Sequence, residues 1–485
     1  MHFLVKLFPE ITIKSAPVRK RFIRHLRENL KELFKGLEFP VTVTRDWDKI
    51  DVLSERNDAQ AKAQVAEILS NTPGIAHFSL VHSFPLVDEE DVFQKTKSIW
   101  GDALKGKTFC VRIKRQGDHD FTSTDMERYV GGGLNQHTEA AGVRLKDPDI
   151  TVRLEIKRNQ VHVIEEQTPG LGGFPLGSQE PVLSLISGGF DSTVSSYLTI
   201  KRGIRTHFCF FNLGGRAHEV GVKEVAYYLW KKYGASHRVM FVTVPFEDVV
   251  AEILEKVENS QMGVVLKRMM LRAATQVAKE MEIPALVTGE AVAQVSSQTL
   301  TNLTVIDSVT DTLVLRPLIT MDKGDIINTA RKIGTEDFAA AMPEYCGVIS
   351  RKPTTRAQEE KVSAEEGNFD FAVLDRAIET RRMVGIDQVI DDLEPEVQVE
   401  VQEQVQARQV VIDVRHPDEE ELKPLQLEGI DVLKIPFYRL SNEFSRLDAG
   451  TEYLLYCEKG IMSQLHAANL KDAGYQNLGV YRPAK

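Results

Sequence analysis

Cysteine is scarce in this chain of 485 residues. Four occur, at Cys110, Cys209, Cys346 and Cys457, and no two form a CxxC pair. That spacing supports neither a zinc site nor a disulfide framework, so no metal-ligand set is assigned. Long apolar runs are missing as well: none reaches the roughly 18 residues that a membrane span needs. The opening "MHFLVKLFPEITIKS" alternates apolar and polar residues like a strand and lacks the continuous apolar core of a signal peptide. A cytoplasmic protein without a membrane partner is expected. Two familiar nucleotide-loop patterns are also absent, the Walker-type Gly-Lys-Ser/Thr and GxGxxG.

An overall positive charge is lacking too. The net charge is −10, but it is uneven. Through residue 175 there are 26 Lys/Arg against 25 Asp/Glu, a balance of +1, so the remainder carries −11. The first third is therefore the candidate region for a polyanionic partner.

What is present reads as an α/β multidomain protein, since the chain is too long for one core. Residues 1 to about 60 read strand, basic helix, strand. The helix "VRKRFIRHLRENLKELFKGL" puts Arg19, Lys20, Arg21, Arg24, Arg27 and Lys31 on exposed faces, as either an RNA-binding or a merely solvated surface. Residues 61 to 166 alternate helices and strands, and a cap is expected at Ser123 or Thr124. The Gly/Pro-rich "TPGLGGFPLGSQEP" marks a boundary. From 175 to 385, short β-rich runs alternate with helical patterns, which predicts a parallel sheet. An acidic, Gln/Val-rich linker follows over 386–406, and residues 407–485 are again β/α.

The sharpest local signal is "SLISGGFDSTVSSYL", a strand that ends in glycines and restarts as a helix. At the carboxyl end of a parallel strand, such a turn presents backbone N–H groups and a helix dipole to an anion. Gly188 and Gly189 allow close approach, Leu185 and Ile186 lead in, and Ser187 and Ser192 add hydroxyls. A carboxylate at Asp191 would repel phosphate, so its expected role is through Mg²⁺ or in substrate activation. Downstream, Lys267 and Arg268 lie on a helix, Gly289 at a strand end, Gln298 beyond it, and Asp322 with Lys323 at a helix start. In "YLLYCEKGIMSQLHAANL", Cys457 ends a strand, a six-residue loop follows, and a helix is expected near Ser463. A thiol facing loop amides at a helix N-terminus is suited to hold a thiolate or persulfide. Cys110 and Cys209 sit in strand-like runs and are expected to be buried and inert.

These motifs carry a family resemblance. The 61–166 segment, with Lys114, Arg115 and Gly117, resembles the THUMP module of RNA-modifying enzymes. SGGxDS at 187–192 resembles the PP-loop of ATP pyrophosphatases, and CxxGxxS at 457–463 after "DVRHPDEE" resembles a rhodanese domain. In that order the chain is similar to the ThiI-type tRNA 4-thiouridine synthetases in their longer, rhodanese-bearing form.

The resemblance implies a ferredoxin-like first domain, ATP with Mg²⁺, and ATP contacts from the 185–192 loop, Lys267, Gly289 and Gln298. Lys323 would meet the adenylate or tRNA. It also implies adenylation of O4 of a tRNA uridine (position 8 in the family) and sulfur carried on Cys457 from a PLP-dependent cysteine desulfurase. Cys346 would resolve the persulfide through a transient Cys346–Cys457 disulfide. A role in sulfur transfer to a thiazole-synthesis carrier for thiamine is implied too, and a homodimer stays open. The missing CxxC sets the chain apart from the iron–sulfur branch of PP-loop thiolases. Two rival readings are an ammonia-using PP-loop amidotransferase or ligase and a non-catalytic RNA-binding scaffold. The sulfur-carrier motif opposes the first, and the intact loop opposes the second.

Overall fold

Alternating apolar residues Phe3, Val5 and Leu7 put one face of the first strand into a hydrophobic core. The computed structural model describes residues 1–45, 49–213, 216–342, 352–391, 399–406, 408–415, 417–427, 429–458 and 461–483. Cys346 lies outside them. The chain divides into two compact units, Met1–Pro175 and Leu176–Lys485, with the division inside the Gly/Pro-rich boundary stretch.

In the first unit the strands are β1 His2–Leu7, β2 Thr42–Arg45, β3 Lys49–Leu53, β4 Ile75–Pro85, β5 Thr108–Gln116, β6 Gly142–Val143, β7 Ile150–Lys157 and β8 Gln160–Gly172. They form one sheet in the order β2-β3-β1-β4-β8-β7-β5-β6. Helix Ala16–Phe34 buries Phe22, Ile23, Leu26 and Leu30 against it, at the spacing of a single apolar stripe. Helix Ala59–Asn71 sends Val65 and Leu69 into that same core. The first core thus continues past residue 60, because these residues have no other apolar surface to cover. A second core joins helices Glu89–Trp100 and Ser123–His137 to β5, β7 and β8. The cap of the latter helix is Thr122, one residue before the expected pair, in a reciprocal capping box with Asp125.

The second unit holds two sheets. Strands β9 Gln179–Leu185, β10 Ile204–Asn212, β11 Met240–Pro245, β12 Ala285–Val287, β13 Leu313–Leu315 and β14 Arg382–Gly385 order as β13-β12-β9-β10-β11-β14. The first five run parallel, as the alternating pattern predicts, while β14 closes the edge antiparallel to β11. The tail sheet comprises β15 Val401–Gln402, β16 Gln409–Asp413, β17 Val432–Lys434, β18 Glu452–Tyr456 and β19 Leu478–Tyr481. It is parallel throughout, in the order β15-β19-β18-β16-β17. The expected linker at 386–406 is therefore partly structured: Ile386 and Val389 are buried, and β15 pairs with β19.

Candidate nucleotide and sulfur site

The glycine-rich loop leaves β9 between its neighbours β12 and β10, where Ile186 N–H still donates to the Cys209 carbonyl at 2.9 Å. Gly188 takes φ +81°, a left-handed turn that a side chain would strain. Gly189 then caps helix Phe190–Lys201 without a side-chain bond. Ser192 ties the loop together: its hydroxyl accepts from Ser187 N–H at 3.1 Å and lies 3.1 Å from Ser187 Oγ. From the adjacent helix, His218 Nε2–H donates to the Ser187 carbonyl at 3.0 Å. Burial lowers the His218 pKa, and the bond to Ser187 opposes that shift. The result is a preformed turn facing a helix N-terminus, the standard geometry for a phosphate group.

Other expected residues converge on this turn. Lys323 Nζ sits 2.8 Å from Asp191 Oδ1, and Gln294 Nε2 donates to Asp191 Oδ2 at 3.0 Å. Gly289 approaches so closely that an added Cβ would lie 2.5 Å from Asp191 C and 2.6 Å from Ser192 N. Its part is steric: only glycine lets the β12 end lie against the loop. Gln298 is buried on a short 3₁₀ turn with Oε1 unpaired, as are Gln294 Oε1 and Thr193 Oγ1. Unpaired buried acceptors fit a donor-bearing ligand, such as an adenine amino group.

Two basic residues behave differently from each other. Lys267 remains near the surface, held at 2.7 Å by Glu290. Glu290 also accepts from Arg316 at 2.8 Å. Burial pushes the Glu290 carboxyl up, but Lys267 and Arg316 outweigh it and hold it below the usual range. Arg268, expected to meet phosphate, is instead a buried structural residue. It grips Glu366 with two bonds of 2.7 and 2.9 Å and donates to the Val305 carbonyl at 2.6 Å. Its period on the helix directs it into the core, so a helical Lys-Arg pair cannot point both charges one way. His218, Gln294, Glu290 and Arg316 escaped the sequence reading, since no local motif marks them.

Cys457 follows β18 directly and is 7% exposed. The helix after it spans Ile461–Asp472, two residues earlier than expected, so the intervening loop is shorter than six residues. Ser463 N–H points at Cys457 Sγ at 3.3 Å, with Ser463 Oγ at 3.4 Å. The sulfur thus faces the first turn of a helix. Cys110 and Cys209 are buried in strands, and desolvation pushes the Cys209 thiol up to about 12, which keeps it protonated and inert. Among the described residues no three His, Cys, Asp or Glu side chains gather as a metal site.

In the first unit Lys20, Arg21, Arg24 and Lys114 are exposed. Arg27 and Lys31 share Glu28, at 2.5 and 3.8 Å. A cavity of about 720 Å³ is lined by Lys49, Lys157 and Arg158 together with Asp51, Gln116 and His162. Lys49 and His162 are both buried there.

Fold and site together define a PP-loop nucleotide-binding protein preceded by a ferredoxin-like and THUMP unit. Family models match accordingly: the ThiI ferredoxin-like domain over residues 2–79, the THUMP domain over 87–164, and the family described as thiamine biosynthesis protein (ThiI) over 177–371. The tRNA sulfurtransferase of Saccharophagus degradans is 56% identical, and that of Aeromonas salmonicida 57%, each covering 100% of both chains. The chain belongs to the ThiI-type tRNA sulfurtransferase family. In three dimensions it is similar to a 4-thiouridine synthetase solved with RNA and ATP, with a TM-score of 0.70 and 23% identity over 79% of this chain and 99% of that one. A protein of Pyrococcus horikoshii Ot3 matches with a TM-score of 0.54 and 17% identity over 69% of this chain and 100% of that one.

Proposed function

We propose that this chain is an ATP-dependent tRNA sulfurtransferase that makes 4-thiouridine. The observation that carries the reading is the preformed turn at Ser187–Ser192 with Asp191 and Lys323 paired at its mouth. O4 of a tRNA uridine attacks the α-phosphorus of ATP, and pyrophosphate leaves. The loop amides and the helix N-terminus receive that pyrophosphate. Gln298 and Gln294 offer acceptors to adenine, and Lys267 and Lys323 balance phosphate charge. Mg²⁺ bound with ATP would find a carboxylate at Asp191 and would supply charge neutralisation on the phosphates.

Adenylation turns a poor leaving oxygen into AMP. A PLP-dependent cysteine desulfurase loads Cys457 as a persulfide, held by the Ser463 amide. Its terminal sulfur attacks C4 and expels AMP, leaving C4 joined to Cys457 through two sulfurs. The Cys346 thiolate then attacks Cys457 Sγ. The sulfur–sulfur bond breaks, sulfur stays on C4, and a Cys346–Cys457 disulfide remains for reduction by a dithiol. The exposed basic residues of the first unit favour tRNA binding. The description of the matched family as thiamine biosynthesis proteins favours a second use, in which Cys457 passes sulfur to a thiazole-synthesis carrier.

Pyrophosphate release with and without tRNA tests the reading, alongside mass spectrometry of desulfurase-treated protein. Release that depends on tRNA, with sulfur on Cys457, is expected. In Cys457→Ser, loading and thiolation should vanish while adenylation persists. Sulfur on Cys346 in that variant, with thiolation intact, would reverse the assignment.

A further inference from the structure

The two reactive centres of the second unit are joined by one packed surface. Helix Arg216–Leu229 touches the ATP loop through His218 and, further along, carries Glu224. Glu224 Oε1 lies 2.6 Å from His466 Nε2 of the tail, and both side chains are buried. Helix Ile461–Asp472 brings His466 there and also points the Ser463 amide at Cys457, three residues earlier.

A second helix, Glu336–Ala341, makes the same connection. On the tail side, Asp337 Oδ2 accepts from Arg439 Nη2 at 2.9 Å, and Phe338 packs edge-on to Phe437, with centroids 5.1 Å apart. Just past its end, Met342 lies over Gly188 and Gly221: their added Cβ atoms would meet its Sδ at 2.9 Å and its Cε at 2.4 Å. Lys231 pairs with Glu419 as a third contact of opposite charge. An aromatic centre ringed by complementary charges is the anatomy of a specific, reversible interface.

We propose that this surface is the seat on which the sulfur-bearing tail docks for transfer, with Glu224, Asp337 and Phe338 as positioning residues. The inference rests on the reading of Cys457 as the carrier. The seat lies on the two helices that reach the ATP loop through His218 and Met342, so docking holds the carrier domain against the elements that frame that loop. Cys457 is 7% exposed and packs within the tail's own core. It must meet a separate desulfurase for loading and the adenylated tRNA for transfer, two encounters that a reversible seat lets one thiol make. The contacts must therefore break and re-form in each cycle. That requirement explains why two of the three ion pairs are partly exposed, where such pairs are weak.

The test reverses an exposed pair in the full chain, as Asp337→Arg, Arg439→Asp and the double swap. Three quantities are read: 4-thiouridine formed in one turnover from preloaded Cys457, tRNA-dependent pyrophosphate release, and hydrogen exchange of helix Phe437–Phe444. Each single reversal should slow sulfur transfer about fivefold and speed exchange in that helix, while pyrophosphate release and loading hold. The double swap should recover to within about twofold. Single variants that transfer sulfur at the parent rate, or a double swap no better than either single, would overturn the seat. If the unaltered chain released no pyrophosphate with tRNA, the functional reading would fail, whereas the exchange data would still judge the docking.

Discussion

Asp191 stands in the first turn of a helix whose amides are shaped for an anion, so it opposes phosphate instead of binding it. Its two oxygens are already held, by Lys323 and Gln294. Removing the carboxylate alters chemistry more than packing. Asp191→Ala should cut tRNA-dependent pyrophosphate release by at least about a hundredfold, with the unfolding midpoint in urea nearly unchanged. Near-normal release from a folded variant would refute the role. His207 makes a different prediction. Burial, assisted by Arg205, pulls its pKa to about 4, and its Nδ1 accepts from Met240 N–H at 3.0 Å. The folded state therefore prefers the neutral ring, while an unfolded histidine titrates near ~6.5. The contribution to stability is complete above that value and is lost as pH falls toward the folded pKa. Urea midpoints should drop between pH 7.5 and 5, and His207→Gln should flatten the slope; an unchanged slope would assign the pH dependence to other groups such as His162.

At the scale of elements, the loop depends on β12 as much as on its own residues. Gly289→Ala would press a methyl group into the Asp191 and Ser192 backbone, which cannot rotate away as a side chain can. A loss of about 1–3 kcal/mol is expected from the forced shift. ATP-dependent pyrophosphate release should fall with it, beyond any effect of the stability loss. Full activity in Gly289→Ala would show that the loop can retreat. The strand–loop–helix unit around Gly188 was legible in the sequence because its signals are local: an apolar run, two glycines and an amphipathic restart. Cys457 at a strand end was legible for the same reason. The roles of Lys267 and Arg268 were not separable, because which side of a helix meets the core depends on Glu366 and Val305, far away in the chain. His218 and Gln294 reach the loop only through tertiary packing. β15 was hidden inside a linker-like composition, since its pairing with β19 decides its state and its own two residues do not.

At the scale of the whole molecule, the first unit carries the positive balance of the chain, with exposed Arg21 and Arg24 on helix Ala16–Phe34 and exposed Lys114 on β5. Reversing these three charges should weaken tRNA binding and reduce the slope of log affinity against log salt by about one for each phosphate no longer neutralised. An unchanged slope would move the tRNA surface elsewhere. The sheet beneath them has a mechanical consequence. β4 pairs with β1 on one edge and β8 on the other, so the ferredoxin-like and THUMP parts share a single plate with no hinge through it. From β1 to β5 the plate is four strand steps wide, roughly 19 Å at about 4.8 Å per step. Lys114 alternates with the buried Ile113 and lies in register with Glu155, which pairs with Lys6, so it stands on the face of the plate turned away from helix Ala16–Phe34. The first unit's positive charges are thus divided between the two sides of one rigid plate, like the two faces of a coin, and a single straight duplex laid on one side leaves the other side's charges untouched.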